Sequence, residues 1–182
     1  MKITNYAVLL LGLSTLSACG GGGGGTSFSS LSQTGTDMIV KYYNAPATSV
    51  SNMPTGSAKY QGVAAFNSSP IIDSTFIATA DPLAKLTLTA DFNSDSISGA
   101  VTDIKTYDGS PASGTVNIRG GTISGNTFLA TADGVIYLEG VAAPVNALVD
   151  GVFVGTNAEG VFGTSAGTFG GQTFYGAYIA EK

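Results

Sequence analysis

Lys85-Leu86-Thr87-Leu88-Thr89-Ala90-Asp91-Phe92 alternates apolar and polar residues without a break. A period of two places Leu86, Leu88, Ala90 and Phe92 on one face and Lys85, Thr87, Thr89 and Asp91 on the other. That is the pattern of a strand buried on one side. Asn93-Ser94-Asp95 follows, and these side chains bond the local backbone and favour a turn. Ser96 to Asp103 returns as a second strand, so the pair reads as a hairpin. Similar runs recur at Ser57 to Phe66, Ser74 to Ala80, Gly114 to Ile118, Thr122 to Thr131, Val135 to Val141, Leu148 to Gly155, Gly160 to Gly163 and Thr173 to Ala180. Asp108-Gly109, Gly120-Gly121, Gly125-Asn126, Asp133-Gly134 and Gly170-Gly171 supply turn signals between them.

The pattern predicts an all-β domain of about eight or nine strands. An eight-stranded antiparallel barrel accounts for it best, because closure leaves no open edge. The interior of such a barrel is just wide enough for side chains. Leu86, Leu88 and Phe92 are therefore expected in the core. Gly99, Gly155 and Gly176 suit sharp bends at barrel corners. Twenty-six of the 182 residues are glycine, about twice the usual share, and glycine is costly inside helices. Almost no helix is expected.

The chain has no His and a single Cys. A serine triad of the usual kind, a His-ligated zinc and a His-ligated haem all need residues it lacks. Asp91-x-Asn93-x-Asp95 mimics the start of a calcium loop, but the sixth and twelfth places hold Ser96 and Thr102 instead of Gly and Glu. It reads as a hairpin turn. No enzyme activity, cofactor or metal is expected. The formal charge is −5, so the basic footprint of a nucleic-acid binder is missing.

The N-terminus carries a different signal. Lys2 precedes the apolar run Ala7 to Leu13 and the small residues Ser14 to Ala18, the layout of a secretory signal peptide over residues 1–18. Leu16-Ser17-Ala18-Cys19 resembles the bacterial lipobox, in which cleavage precedes the Cys and the Cys carries the lipid. Cys19 is the expected site of acylation, palmitate included, and a membrane is the expected partner of that anchor. Gly20 is not the Asp that retains many Gram-negative lipoproteins at the inner membrane, so the outer membrane is the expected location. Residues 19–36, opening with Gly20 to Gly25, read as a flexible Gly/Ser tether. Residues 37–53 read as a short strand or clasp packed on the barrel, and 54–182 as the barrel itself.

Pro54-Thr55-Gly56-Ser57-Ala58-Lys59-Tyr60-Gln61-Gly62 resembles the opening strand of the transferrin-binding-protein-B-like β-barrel family. The hairpin Leu86 to Val101 resembles that family's second and third strands. Gly151-Val152-Phe153-Val154-Gly155-Thr156-Asn157-Ala158-Glu159, followed by Gly160-Val161-Phe162-Gly163, resembles its signature, in which Gly151, Phe153, Gly155, Ala158, Glu159, Phe162 and Gly163 are structural positions. Val154 and Thr156 depart from the usual Tyr and Pro. One barrel fits here, without the paired lobes of the full receptor lipoproteins. The resemblance implies an eight-stranded barrel on a lipid tether, exposed outside the cell, that binds a protein partner in iron or nutrient acquisition or host contact. It implies no catalytic residue. Two other readings stay open: a small-ligand binder with a pocket at one barrel mouth, and a structural envelope lipoprotein. Tyr42, Tyr43 and Tyr107 lie near loops and are the candidate interface residues.

Overall fold

Alternation decides the wall of this molecule and loop chemistry decides its ends. The structure is a computed structural model that describes residues 26–68 and 74–182. Strands β1 (Ser57–Asn67), β2 (Leu83–Asp91), β3 (Ser96–Lys105), β4 (Ala112–Ser124), β5 (Thr127–Leu138), β6 (Val141–Val154), β7 (Gly160–Phe169) and β8 (Gln172–Glu181) pair in sequence order. β8 then pairs with β1 through Gln61↔Glu181 to Asn67↔Tyr175, which closes the barrel. All its pairs are antiparallel.

The predicted hairpin forms as β2 and β3, joined by a turn in which Asp91 Oδ1 accepts the amides of Asn93 and Ser94. Leu86, Leu88 and Ala90 point inward and are buried. Phe92 lies just past the strand, half-buried, its ring 5.2 Å from that of Phe153. Side chains fill the barrel, and the void left along its middle is about 30 Å³, roughly the room of one water.

Several sequence-based boundaries are corrected. Ser74 to Ala80 is not a strand: Phe76–Thr79 is a short helix, α2. Gly120-Gly121 and Asp133-Gly134 are not turns. The first pair lies at a register shift inside β4 between Arg119 and Thr122, and Gly134 sits inside β5 opposite Val116. A Cβ on Gly134 would strike the Thr115 carbonyl oxygen. Glycine there serves close approach of two strands. The turn falls instead at Glu139-Gly140, with φ of 51° and 82°, inside the run read as one strand from Val135 to Val141.

The largest correction is a helix. α1 spans Phe28–Tyr42, across the end of the expected tether and the start of the segment 37–53 read as a short strand or clasp. Residues 37–53 do pack on the barrel, but as the last turns of α1, a single 3₁₀ turn at Val50–Asn52 and a bridge from Ala47 to Val154. The Ser27 hydroxyl accepts the Ser30 amide and the Ser30 hydroxyl accepts the Ser27 amide, a capping box. Leu31, Gly35, Met38, Ile39 and Tyr42 recur every three or four residues and form the buried face. They cover an apolar patch on the outer wall made by Val63, Ala65, Leu83, Ala177 and Ile179, with Phe76 and Ile77 of α2 beside them. Cys19 and the glycine run lie outside the described residues.

α1 runs along the wall from end to end. Its start touches the loop between β3 and β4, where Phe28 meets Tyr107 edge to face at 5.5 Å. Its end reaches the turn between β6 and β7, and Lys41 Nζ lies 2.8 Å from Glu181 Oε2. These two ends of the barrel differ in how they are finished.

Candidate binding surfaces

One end is sealed by residues of the run from Gly151 to Gly163. Gly155, with φ of 89°, turns the chain out of β6, and a Cβ there would meet Glu159 Oε2 at 2.2 Å. Glu159 Oε2 accepts the Asn157 amide at 3.0 Å. That bond, helped by the charge of Lys182, holds the carboxyl below the usual range. Ala158 is fully buried; its carbonyl accepts the Tyr60 hydroxyl at 2.9 Å and its amide donates to Thr48 Oγ1 at 3.2 Å. Thr48 also donates its hydroxyl to the Gly155 carbonyl at 2.8 Å, and its carbonyl accepts Asn126 Nδ2 at 2.7 Å. Among the described residues Thr48 is the buried polar side chain, and it laces residues 46–53 over this end.

The remaining signature positions serve packing. Phe153 is fully buried beneath the seal, against Tyr60, Phe92 and Phe128. A Cβ on Gly163 or Gly151 would strike the Tyr178 hydroxyl, which donates to the Asp150 carbonyl at 2.7 Å. Burial pushes the Tyr178 and Tyr60 hydroxyls well above the ordinary tyrosine range. Phe162 points outward, half-buried under Tyr43 and Phe76.

The three candidate interface tyrosines separate. Tyr42 is buried over Gly160, and Tyr43 is half-buried on Phe162. Both belong to the seam between α1 and the barrel. Tyr107 alone of the three is open to solvent, at 78% exposed.

Two surfaces carry no residue that the sequence reading named as a candidate site, although a pocket at one barrel mouth was among its open alternatives. The first is the outer wall of β5 and β6, across the barrel from α1. Leu129 and Leu148 are 57% and 59% exposed, and Val135, Tyr137 and Val141 are exposed beyond them. Thr131 pairs with Leu148, Leu129 with Asp150, and Val135 with Pro144, so these side chains form one strip. Asp150 Oδ1 accepts the Thr164 hydroxyl at one flank, and Asp133, which faces Arg119 at 3.7 Å, pairs with Asn146 between the leucines and Val135, so polar groups divide the strip in two. The signal was in the sequence: the outward positions of Thr127 to Leu138 include Leu129, Val135 and Tyr137, where Thr would be the neutral choice.

The second is the other end of the barrel, which the described residues leave open. The last inward residues of the strands, Phe66, Leu138, Phe169 and Phe174 among them, surround a cavity of about 370 Å³. Asp81 stands on its rim, and its Oδ1 accepts the Tyr107 amide at 3.0 Å.

The family model for the C-lobe and N-lobe β-barrels of Tf-binding protein B matches residues 53–182. The chain belongs to this family. The barrel is similar to a single-residue variant of transferrin binding protein B from Haemophilus parasuis, at 22% identity and a TM-score of 0.52, over 74% of this chain and 28% of that one. It is also similar to isotype 1 transferrin binding protein B from serogroup B Neisseria meningitidis, at 18% identity and a TM-score of 0.48, over 74% of this chain and 27% of that one. The chain thus matches little more than a quarter of the length of those solved proteins. No curated protein sequence matches it. In this member of the family the turn from Gly155 to Glu159 seals one end, and the described residues leave the β5–β6 wall and the mouth uncovered.

Proposed function

We propose that this Tf-binding protein B family barrel is a lipid-anchored outer-membrane lipoprotein, exposed at the cell surface, that binds a protein partner. Iron or nutrient acquisition, or contact with a host, is the setting the family suggests. It acts as a binding protein and not as an enzyme. The family match over residues 53–182 carries this reading, and the solved relatives named above are called transferrin binding proteins. The lipobox-like Leu16-Ser17-Ala18-Cys19 supports the anchor. The β5–β6 wall is the place where a partner fits, because it gathers exposed large apolar side chains with polar groups among them, and such exposed patches mark interaction surfaces.

The test uses the lipid-free domain, Thr26 to Lys182, immobilised and exposed to iron-loaded transferrin and then to whole serum. A retained serum protein is expected. Leu129→Asp with Leu148→Asp should weaken its retention about tenfold or more, the scale of a lost hot spot. Retention of no serum protein, or equal retention by the double variant, overturns the reading.

A further inference from the structure

The open mouth has a chemistry of its own, independent of the wall. Its floor is apolar and aromatic: Phe66, Phe169 and Phe174 face it, with Ile136 and Leu138 from β5. The Phe66 and Phe174 rings lie 5.8 Å apart at 60°. The cavity stops there, since the barrel beyond is filled down to a void of about 30 Å³. At about 370 Å³ the mouth falls at the small end of ligand pockets, which run to roughly 300–1,000 Å³.

The rim decides the charge. Asp81 gives one carboxylate oxygen to the Tyr107 amide, and its other oxygen has no hydrogen bond among the described residues. No Lys or Arg lines the opening among those residues. Lys105, at this end of β3, is bridged to Asp103 at 2.8 Å. The loops at this end add Asp108 and Glu139. A cation is attracted by a carboxylate and by the faces of aromatic rings, while an anion finds no counter-charge here.

From these observations we infer that the open mouth binds a small organic cation, an amine or quaternary ammonium on an apolar body, with the body on the three phenylalanines and the charge at Asp81. The depth of the pocket admits a body the size of one ring or a fused pair. A longer chain would have to leave through the opening.

The experiment uses the full chain in lipid nanodiscs, with empty nanodiscs as the reference, and three probes of one shape. These are 2-naphthylmethylamine, 2-naphthalenemethanol and 2-naphthoic acid, titrated by calorimetry. The amine should bind about fivefold more tightly than the alcohol, the scale of one partly exposed charge pair, and the acid more weakly than either. Asp81→Asn keeps an acceptor for the Tyr107 amide and should bring the amine down to the alcohol while leaving the alcohol unchanged. Gln172→Arg, at the exposed start of β8, should lower amine affinity and raise that of the acid. The melting temperature of each variant reports its fold, and the two variants lie on different strands or loops, so either can carry the test. The inference is overturned if no probe binds, if the acid binds as well as the amine, or if the folded variants leave the order of the probes unchanged.

Discussion

Leu88 and Thr87 are neighbours in the chain and opposites in the fold. Leu88 is buried inside the barrel, whereas Thr87 is exposed and makes one long hydrogen bond, 3.4 Å to the Ala100 carbonyl. Leu88→Ala is expected to cost about 2–5 kcal/mol in urea unfolding, with Phe92→Ala toward the bottom of that range because its ring is half-buried. Thr87→Ala should stay within about 0.5 kcal/mol. Equal losses on both faces would refute the inward assignment. Thr48 tests the seal in the same way. Thr48→Val keeps the shape but strands the Gly155 carbonyl and the Ala158 amide, at a cost of about 1–3 kcal/mol. An unchanged urea midpoint would mean that other groups close this end. At this scale the sequence was readable where alternation is strict, as at Leu86, Leu88 and Ala90. It was silent on Thr48, because a lone Thr in a segment with no period gives no sign that it will be buried.

Among the elements, strands were legible and α1 was not. A strand's period shows in a few residues, while the apolar face of α1 is thin: Leu31, Met38, Ile39 and Tyr42, spread among Ser, Thr and Gly. Such residues form helices poorly alone, and the docking on β1 and β8 stabilises this one. The usable clue was Ser27 with Ser30, a weaker form of the capping pair than one with Glu. The residues that line the mouth were hidden for another reason, since they depend on which strands end together. α1 also carries a pH dependence. The Lys41 hydrogen bond holds the Glu181 carboxyl below its usual range, and Glu181 in turn raises Lys41. A depressed carboxyl contributes stability above its unfolded value, about 4.3, and loses it as pH falls through the lower folded value. The raised lysine contributes below its ordinary range and lets go only in strong alkali. The clamp should therefore hold at neutral pH and release below about pH 4. The urea midpoint of the unaltered chain should fall more steeply from pH 7 to pH 3 than that of Glu181→Gln, and parallel profiles would remove the clamp from the account.

For the whole molecule, the proposed anchor is tested by location. Cys19→Ser should move the protein from the outer-membrane fraction to an unprocessed or soluble form after a high-salt wash. If the variant stays with the membrane, the lipid is not what holds it. One further consequence lies in the seam between β1 and β8, where Gln61 meets Glu181. The first and last strands are neighbours in space and nearly the whole domain apart in sequence. Hairpins such as β2–β3 cost little loop entropy and can form early, but the seam must wait for the final residues. Folding is thus expected on the slow side for a domain of this size, in milliseconds to seconds. Until Gln172–Glu181 has joined, β1 and β7 present unpaired edges and α1 lacks half of its seat. A chain that stops short of that strand is expected to aggregate through those edges instead of settling into a smaller fold.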